Sequence, residues 1–285
     1  MGYENAIELK NVTKKFKGFT LDNISFDLPK GCILGLIGEN GAGKSTTIRL
    51  IMNSLVKDSG KISVMGLDND TDDFAALKED IGVVLDEAYF PIVINVEIVN
   101  KMMKSTYQRW NEVVFFEYIH RFDLPLKRQF KDFSRGMKMK LAIAVALSHD
   151  PKLLVLDEAT SGLDPIVRDE ILEIFYDFTR DPEHSILISS HILSDLEKLC
   201  DYVAFIHKGK LLFCEGKDEL LDRYGIIRCS KRQLEDIPSE AVKGKRVNDY
   251  GVECLVERNR VSSTFDIEKV NIEDIILYMV KGDRR

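Results

Sequence analysis

Along the first part of the chain, short apolar and β-branched runs alternate with turn residues, as in IELKNVTKKFKGFTLDNISFDLPKGCILGLIG, and close on an apolar run at 32–37 that leads into a glycine-rich loop. Alternation of this kind predicts half-buried strands, and the apolar run predicts a strand covered on both faces. Ile48, Leu50, Ile51 and Leu55 then recur at helical spacing, predicting a helix over 44–54, and DSGKISVMG reads as a turn and a short strand. After another apolar strand at 81–85, the period becomes helical through about residue 148, with Trp110, Phe115, Phe116 and Ile119 in apolar stripes. Strand-like runs return at 153–156, 186–188 and 203–206, alternating with helical stretches at 166–179 and 192–199. Such β-α-β alternation predicts a mostly parallel, covered sheet. Beyond about Leu220, short strands around GIIRCS and GVECLVE and an amphipathic helix near NIEDIILYMV read as a small accessory α+β unit. The expected organisation is one α/β domain over 1–220, carrying a helical insert at about 87–149, and a C-terminal unit over 221–285.

Composition narrows the partners. At 285 residues, with 45% hydrophobic and 31% charged residues, the chain is ordinary for a folded α/β protein with one main core. It has no apolar run of the roughly 18 residues that span a bilayer, and MGYENAIELK lacks the layout of a signal peptide, so a cytoplasmic location is expected. A net charge of −7 supplies no broad basic field, which disfavours nucleic acid as a partner. The five cysteines are dispersed, never in a C-x-x-C pair, and read as reduced thiols.

Two motifs carry chemistry. GENGAGKST at 38–46 fits G-x-x-x-x-G-K-[ST] between a strand and a helix, the context a phosphate loop requires. Gly38, Gly41 and Gly43 let the backbone turn its N–H groups toward one point, with Asn40 and Thr46 in the same loop. The helix starting near Lys44 adds its positive end; the Lys44 ammonium reaches the β- and γ-phosphates, and the Ser45 hydroxyl can ligate Mg²⁺. In KLLVLDEAT, Asp157 and Glu158 follow an apolar strand, at the carboxyl edge where ligands of open α/β sheets collect. There Asp157 can hold Mg²⁺ through water, while Glu158 orients and polarises the water that attacks the γ-phosphorus.

A phosphate loop and an acidic strand end suit kinases, GTPases and motors alike; the residues between and after them discriminate. FSRGMKMKLAIAVALSHDPKLLVLDEATSGLDP resembles the signature-helix, Walker B and D-loop block of ATP-binding cassettes, and ILISSHILSDLEKLCDYVAFIHKGKL resembles their switch-histidine segment. The resemblance runs from about Ile7 to Gly216 and is nearest to cassettes that drive bacterial export-type permeases, including antibiotic-resistance transporters. It implies a P-loop NTPase (RecA-like) core with an N-terminal antiparallel β subdomain, an inserted helical subdomain and ATP with Mg²⁺ as ligands. The signature here is FSRGM, where LSGGQ is the commonest form: Ser134 and Gly136 keep the donors at a helix start, and Arg135 replaces a glycine. By resemblance, Ser134 and Gly136 face the γ-phosphate on an opposite cassette, His191 supports the attacking water, and Asp164 reports across the interface. Phe16 lies where these cassettes carry an adenine-stacking aromatic. In IGVVLDEAYF, Asp86 and Glu87 stand where a Q-loop glutamine is expected; the Asp86 carboxylate can ligate Mg²⁺ but adds negative charge.

The resemblance implies a second cassette, in a homodimer or a heterodimer, and a separate transmembrane permease, which would hold the chain peripherally on the inner face of the cell membrane. A soluble regulatory ATPase is the alternative. Such proteins usually carry two cassettes, a long coiled coil or a zinc insertion, and the stretch between Lys44 and Ser134 shows neither heptads nor metal-spaced cysteines. A phosphotransferase kinase has no use for FSRGM or SGLDP.

Overall fold

A computed structural model describes residues 3–86, 90–248 and 251–281. The opening alternation forms two antiparallel strands, β1 (Asn5–Phe16) and β2 (Phe19–Pro29), in a hairpin whose register pairs Phe16 with Phe19. Gly18, at φ 90°, takes the left-handed turn conformation that a side chain would disfavour. The apolar run becomes β3 (Ile33–Ile37), buried throughout, and leads through the glycine loop into α1 (Lys44–Ile51). That helix is shorter than its apolar spacing predicts. Asn53, at φ 48°, adopts the left-handed conformation, and the Ser54 and Leu55 amides turn back onto the Arg49 carbonyl, closing the helix before Leu55. With β4 (Ser59–Val64) and β5 (Leu67–Asp68), the hairpin forms a four-stranded sheet of order β2-β1-β4-β5.

A four-residue helix, α2 (Phe74–Leu77), precedes β6 (Ile81–Val84). The helical stretch that follows is three helices: α3 (Val96–Thr106), α4 (Glu112–Arg121) and α5 (Arg135–Leu147). Each begins at a side-chain cap, where Asn95, Asn111 and Ser134 accept backbone N–H bonds from the first turn. Asp123, at φ 50°, and Pro125 interrupt the helical period after α4. Of the expected stripe, Phe115 and Ile119 are buried on α4, whereas Trp110 lies in the preceding turn, its Nε1 donating to Asn100 Oδ1 at 2.8 Å. His149, buried and stacked 3.9 Å from the Tyr107 ring, bonds the Glu79 carbonyl through Nδ1; burial lowers its pKa and keeps the ring neutral.

The remaining alternation is β7 (Leu153–Asp157), α6 (Pro165–Phe178), β8 (Ser185–Ser190), α7 (Leu193–Leu199), β9 (Tyr202–His207) and β10 (Lys210–Gly216). These strands join β3 and β6 in a six-stranded sheet of order β10-β9-β3-β8-β7-β6. The pairs β3–β8, β3–β9, β6–β7 and β7–β8 are parallel, and β3, β7 and β8 are buried along their whole length, as a sheet covered on both faces requires. Ile7, Leu9, Ile24 and Val64 of the antiparallel sheet share one apolar core with Leu34, Leu36, Val155 and Leu187 of the parallel sheet. Burying each such side chain contributes on the order of 1.5–3 kcal/mol.

The chain divides into two compact units, 1–214 and 215–285. In the second, α8 (Lys217–Arg223) precedes a sheet of order β11-β13-β12, built from β11 (Tyr224–Cys229), β12 (Val242–Asn248) and β13 (Gly251–Glu257), with α9 (Ile272–Lys281) packed on β12 and β13. Strand β12 was not expected from its sequence, VKGKRVN. Its lysines and arginine hide the alternation, and Gly244 is where the α9 backbone closes in: a Cβ there would lie 2.1 Å from the Tyr278 carbonyl oxygen. None of the five cysteines forms a disulfide.

Candidate active site

Parallel register brings distant sequence positions to one sheet edge. Ile37 pairs with Ser190 across β3 and β8, and Asp157 pairs with Ser189 across β7 and β8. The residues that follow those strand ends are therefore neighbours: the glycine loop after β3, Glu158 after β7 and His191 after β8. In this loop Gly43 has φ 120°, a conformation L side chains rarely adopt, and it is the residue from which α1 starts. Phe16, Asn40, Gly41, Gly43, Lys44, Ser45, Thr46, Asp86 and Glu158 line a common cleft.

The buried Lys44 ammonium donates to the Gly38 carbonyl at 2.8 Å and lies 3.2 Å from Glu158 Oε1. His191 Nδ1 is 2.6 Å from Glu158 Oε2. Glu158 itself sits at φ 54°, in the left-handed region, held there because its amide donates to both the carbonyl and the hydroxyl oxygen of Ser189 at 3.1 Å. Such a conformation in a non-glycine residue costs on the order of 1–3 kcal/mol and persists where neighbours over-determine it. Ser189 also donates to Asp157 Oδ1 at 2.5 Å, so one hydroxyl orients both acids. Oε1 of Glu158 is buried and receives no aligned hydrogen bond, although Lys44 lies within ion-pairing range. The ammonium is aimed at the Gly38 carbonyl, which leaves Oε1 of Glu158 with the lysine charge nearby but no aligned donor.

Ser134 caps α5 by accepting from the Met137 amide at 3.2 Å, and Asp164 caps α6 by accepting from the Val167 amide at 3.1 Å, with Pro165 at the first helical position. Ser134, Gly136, Asp157 and His191 do not line the cleft; Asp157 and His191 reach it through Ser189 and Glu158. Asp86, at the cleft, accepts from Arg135 Nη2 at 2.8 Å. Glu87 lies outside the described residues. Phe19, Glu39 and Arg49 also line the cleft and were not expected there. The signal for Phe19 was present: Lys17-Gly18 is a two-residue turn that sets Phe19 opposite Phe16, and the rings stack at 6.3 Å with an interplanar angle of 30°. Ser189 was likewise legible as the penultimate residue of SILISS, though its two hydrogen bonds, one from the Glu158 amide and one to the Asp157 carboxylate, are a product of pairing between strands.

The cleft offers a lysine, a helix start and turned backbone amides suited to phosphate, together with the aromatic pair Phe16 and Phe19 and the carboxylates of Asp86 and Glu158. No helix among the described residues is long and apolar enough to cross a membrane. A protein-family profile described as ABC transporter matches residues 21–161. The uncharacterized ABC transporter ATP-binding protein YhcH of Bacillus subtilis (strain 168) is 33% identical over 98% of this chain and 92% of its own length. The lantibiotic transport ATP-binding protein SrtF of Streptococcus pyogenes is 37% identical over 72% of this chain and 89% of its own. Among solved structures, an ATP-binding cassette in a dimeric post-hydrolysis state with ADP and Pi matches with a TM-score of 0.67 at 21% identity, over 74% of this chain and 98% of that one, a likeness of fold. The phosphate loop, the acidic strand end and the match along nearly the whole chain lead to one conclusion: this protein belongs to the ABC transporter family and is an ATP-binding, ATP-hydrolysing subunit of that family.

Proposed function

We propose that this chain hydrolyses Mg-ATP at two sites shared head-to-tail with a second cassette, the same chain or a relative, and thereby drives a separate membrane permease in export. Residues 1–220 carry the nucleotide chemistry and 221–285 are an accessory unit. The observation that carries the reading is the convergence of Lys44, Glu158 and His191 at one sheet edge, with Glu158 lining the cleft and its buried Oε1 receiving no aligned hydrogen bond.

In this reading the phosphate chain of ATP draws the Lys44 ammonium away from Glu158, and the loop amides bind the phosphate oxygens. Phe16 and Phe19 offer their faces to adenine. Glu158 accepts a proton from the water that attacks the γ-phosphorus, while the bond from that phosphorus to the bridging oxygen breaks and ADP leaves with the electron pair. His191, bonded to the other oxygen of Glu158, holds the carboxylate in line. Ser45 and Asp86, which line the cleft, and Asp157, which reaches it through Ser189, are hard oxygen donors of the kind that suits Mg²⁺. Bound there, Mg²⁺ would neutralise phosphate charge. Ser134 and Gly136 act on the ATP of the opposite cassette, consistent with their absence from this cleft. The relatives named for lantibiotic and bacitracin transport support a transport role, and export is the direction that the resemblance to export-type cassettes implies.

The trans arrangement is tested by mixing protomers. Ser134→Arg in one chain and Lys44→Ala in the other leave one intact site per mixed dimer, so mixing should restore ATPase above either parent. Mixed dimers confirmed by mass but without recovery, and without an ATP-dependent crosslink from a cysteine at Ser134 to one beside the opposite phosphate loop, would exclude head-to-tail sharing. For the permease, co-expression with a multi-spanning protein encoded beside this gene should shift the chain into the membrane fraction and co-purify the two; a chain that stays in the supernatant contradicts the transport role.

A further inference from the structure

Asp86 and Arg135 each put a charge where the commonest family pattern has an uncharged residue, and the structure joins them: Arg135 Nη2 donates to Asp86 Oδ1 at 2.8 Å. Asp86 lines the ATP cleft. Its place there follows from strand register. Val84 pairs with Leu156 across β6 and β7, so Asp86, two residues on, leaves the sheet level with Glu158, the residue that the proposed function sets beside the γ-phosphate. Arg135 follows Ser134 at the start of α5, and its guanidinium also covers the turn before α6. A Cβ built on Gly162, which has φ 71°, would lie 3.1 Å from Nη1 and 3.2 Å from Cζ and Nε. From the start of α5, one guanidinium thus reaches two other segments: the loop after β6 and the turn before α6.

Both side chains are about half exposed, 51% for Asp86 and 56% for Arg135. A pair so exposed contributes little to folding stability. Its charge matters more, because Asp86 adds a carboxylate to a cleft that must accept the anionic end of ATP. Left unpaired, that carboxylate repels the incoming γ-phosphate across a short distance; paired, it presents a nearly neutral surface.

We propose that Arg135 is a positioning residue of the ATPase site: its guanidinium neutralises Asp86 and holds it against the turn at Gly162, so that the cleft of the same subunit admits the γ-phosphate. The inference rests on ATP occupying this cleft. It also explains why an acid is compatible with this position: it is half of a pair whose other half is the arginine of FSRGM.

Affinities for ATP and ADP are measured by equilibrium titration of the full chain without divalent cations, which prevents turnover, at ~0.15 M salt; the Asp86→Asn background separates a direct pull of Arg135 on the phosphates, which would persist there, from repulsion by Asp86, which would not. Arg135→Gln should weaken ATP binding about threefold to tenfold and leave ADP within about twofold, because only ATP places charge beside the freed carboxylate. With Asp86→Asn in the same chain, the further loss on Arg135→Gln should shrink below about twofold. Gly162→Ala is the second variant, and remains informative where Arg135→Gln does not fold. It drives a methyl into the guanidinium and should give the same ATP-selective loss, again relieved by Asp86→Asn. A loss equal for ATP and ADP, or one unchanged by Asp86→Asn, overturns the proposal. Failure of the unsubstituted chain to bind ATP would instead overturn the assignment of the cleft.

Discussion

Glu158→Gln is expected to lower ATP turnover by roughly 10²- to 10⁴-fold, the range that a positioned general base contributes, while ATP remains bound. The amide keeps the shape of the side chain and so preserves packing around a residue that is only 9% exposed. It removes the basic carboxylate and the negative charge that now holds Lys44 at 3.2 Å. With that charge gone, Lys44 is free for the phosphates and the carboxylate no longer repels them, so ATP affinity should hold or rise as chemistry stops. Bound but unhydrolysed ATP should then accumulate a dimer with nucleotide trapped between two chains. Single-turnover phosphate release and light scattering in the presence of ATP measure the two effects separately. Turnover near that of the unsubstituted protein would remove Glu158 from the role of base.

Lys44→Ala should act on the other side of the same ion pair and in the opposite sense, weakening ATP binding by about 10- to 100-fold. That range follows from the roughly 1.5–3 kcal/mol of a hydrogen bond to a charged group, with about 1.4 kcal/mol per tenfold. Two losses combine. The phosphates lose their cation, and Glu158 keeps its buried charge with no lysine beside it, so the empty cleft becomes more repulsive to an anion than deletion of one contact would make it. Truncation also leaves the Gly38 carbonyl without the ammonium that bonds it at 2.8 Å. Adding Glu158→Gln to Lys44→Ala should therefore recover part of the lost affinity, since the uncompensated carboxylate is gone. Titration with ATP in the two backgrounds reads this directly; an affinity unchanged by Lys44→Ala would show that the loop amides alone hold the phosphates.

Most of the local chemistry was legible because it is local. A phosphate loop needs glycines, a lysine and a hydroxyl at fixed spacing between a strand and a helix, and all of these lie within 38–46. Uninterrupted apolar runs marked β3 and β7, because a parallel strand covered on both faces has no polar side to show. Where short-range rules compete, the pattern misled. Leu55 fits the helical stripe of α1, but Asn53 turns the backbone before it is reached. Strand β12 shows lysines and a glycine, because its pairing with β13 and its contact with α9 decide its conformation.

The motifs that this chain shares with its family and their order were determined by sequence alone, since each motif depends on residues a few positions apart. Tertiary structure decided what those motifs do to one another. The pairing of Asp157 with Ser189 sets the left-handed turn that aims Glu158, and the pairing of Ile37 with Ser190 brings Lys44 and His191 to the same carboxylate. It also joined Asp86 to Arg135, two charges that look like separate departures in the sequence. The physical reason is range: turns, caps and helical stripes are short-range preferences, whereas a shared hydroxyl, a buried ion pair and an opposing charge exist only after strand register has carried distant residues within a few ångströms.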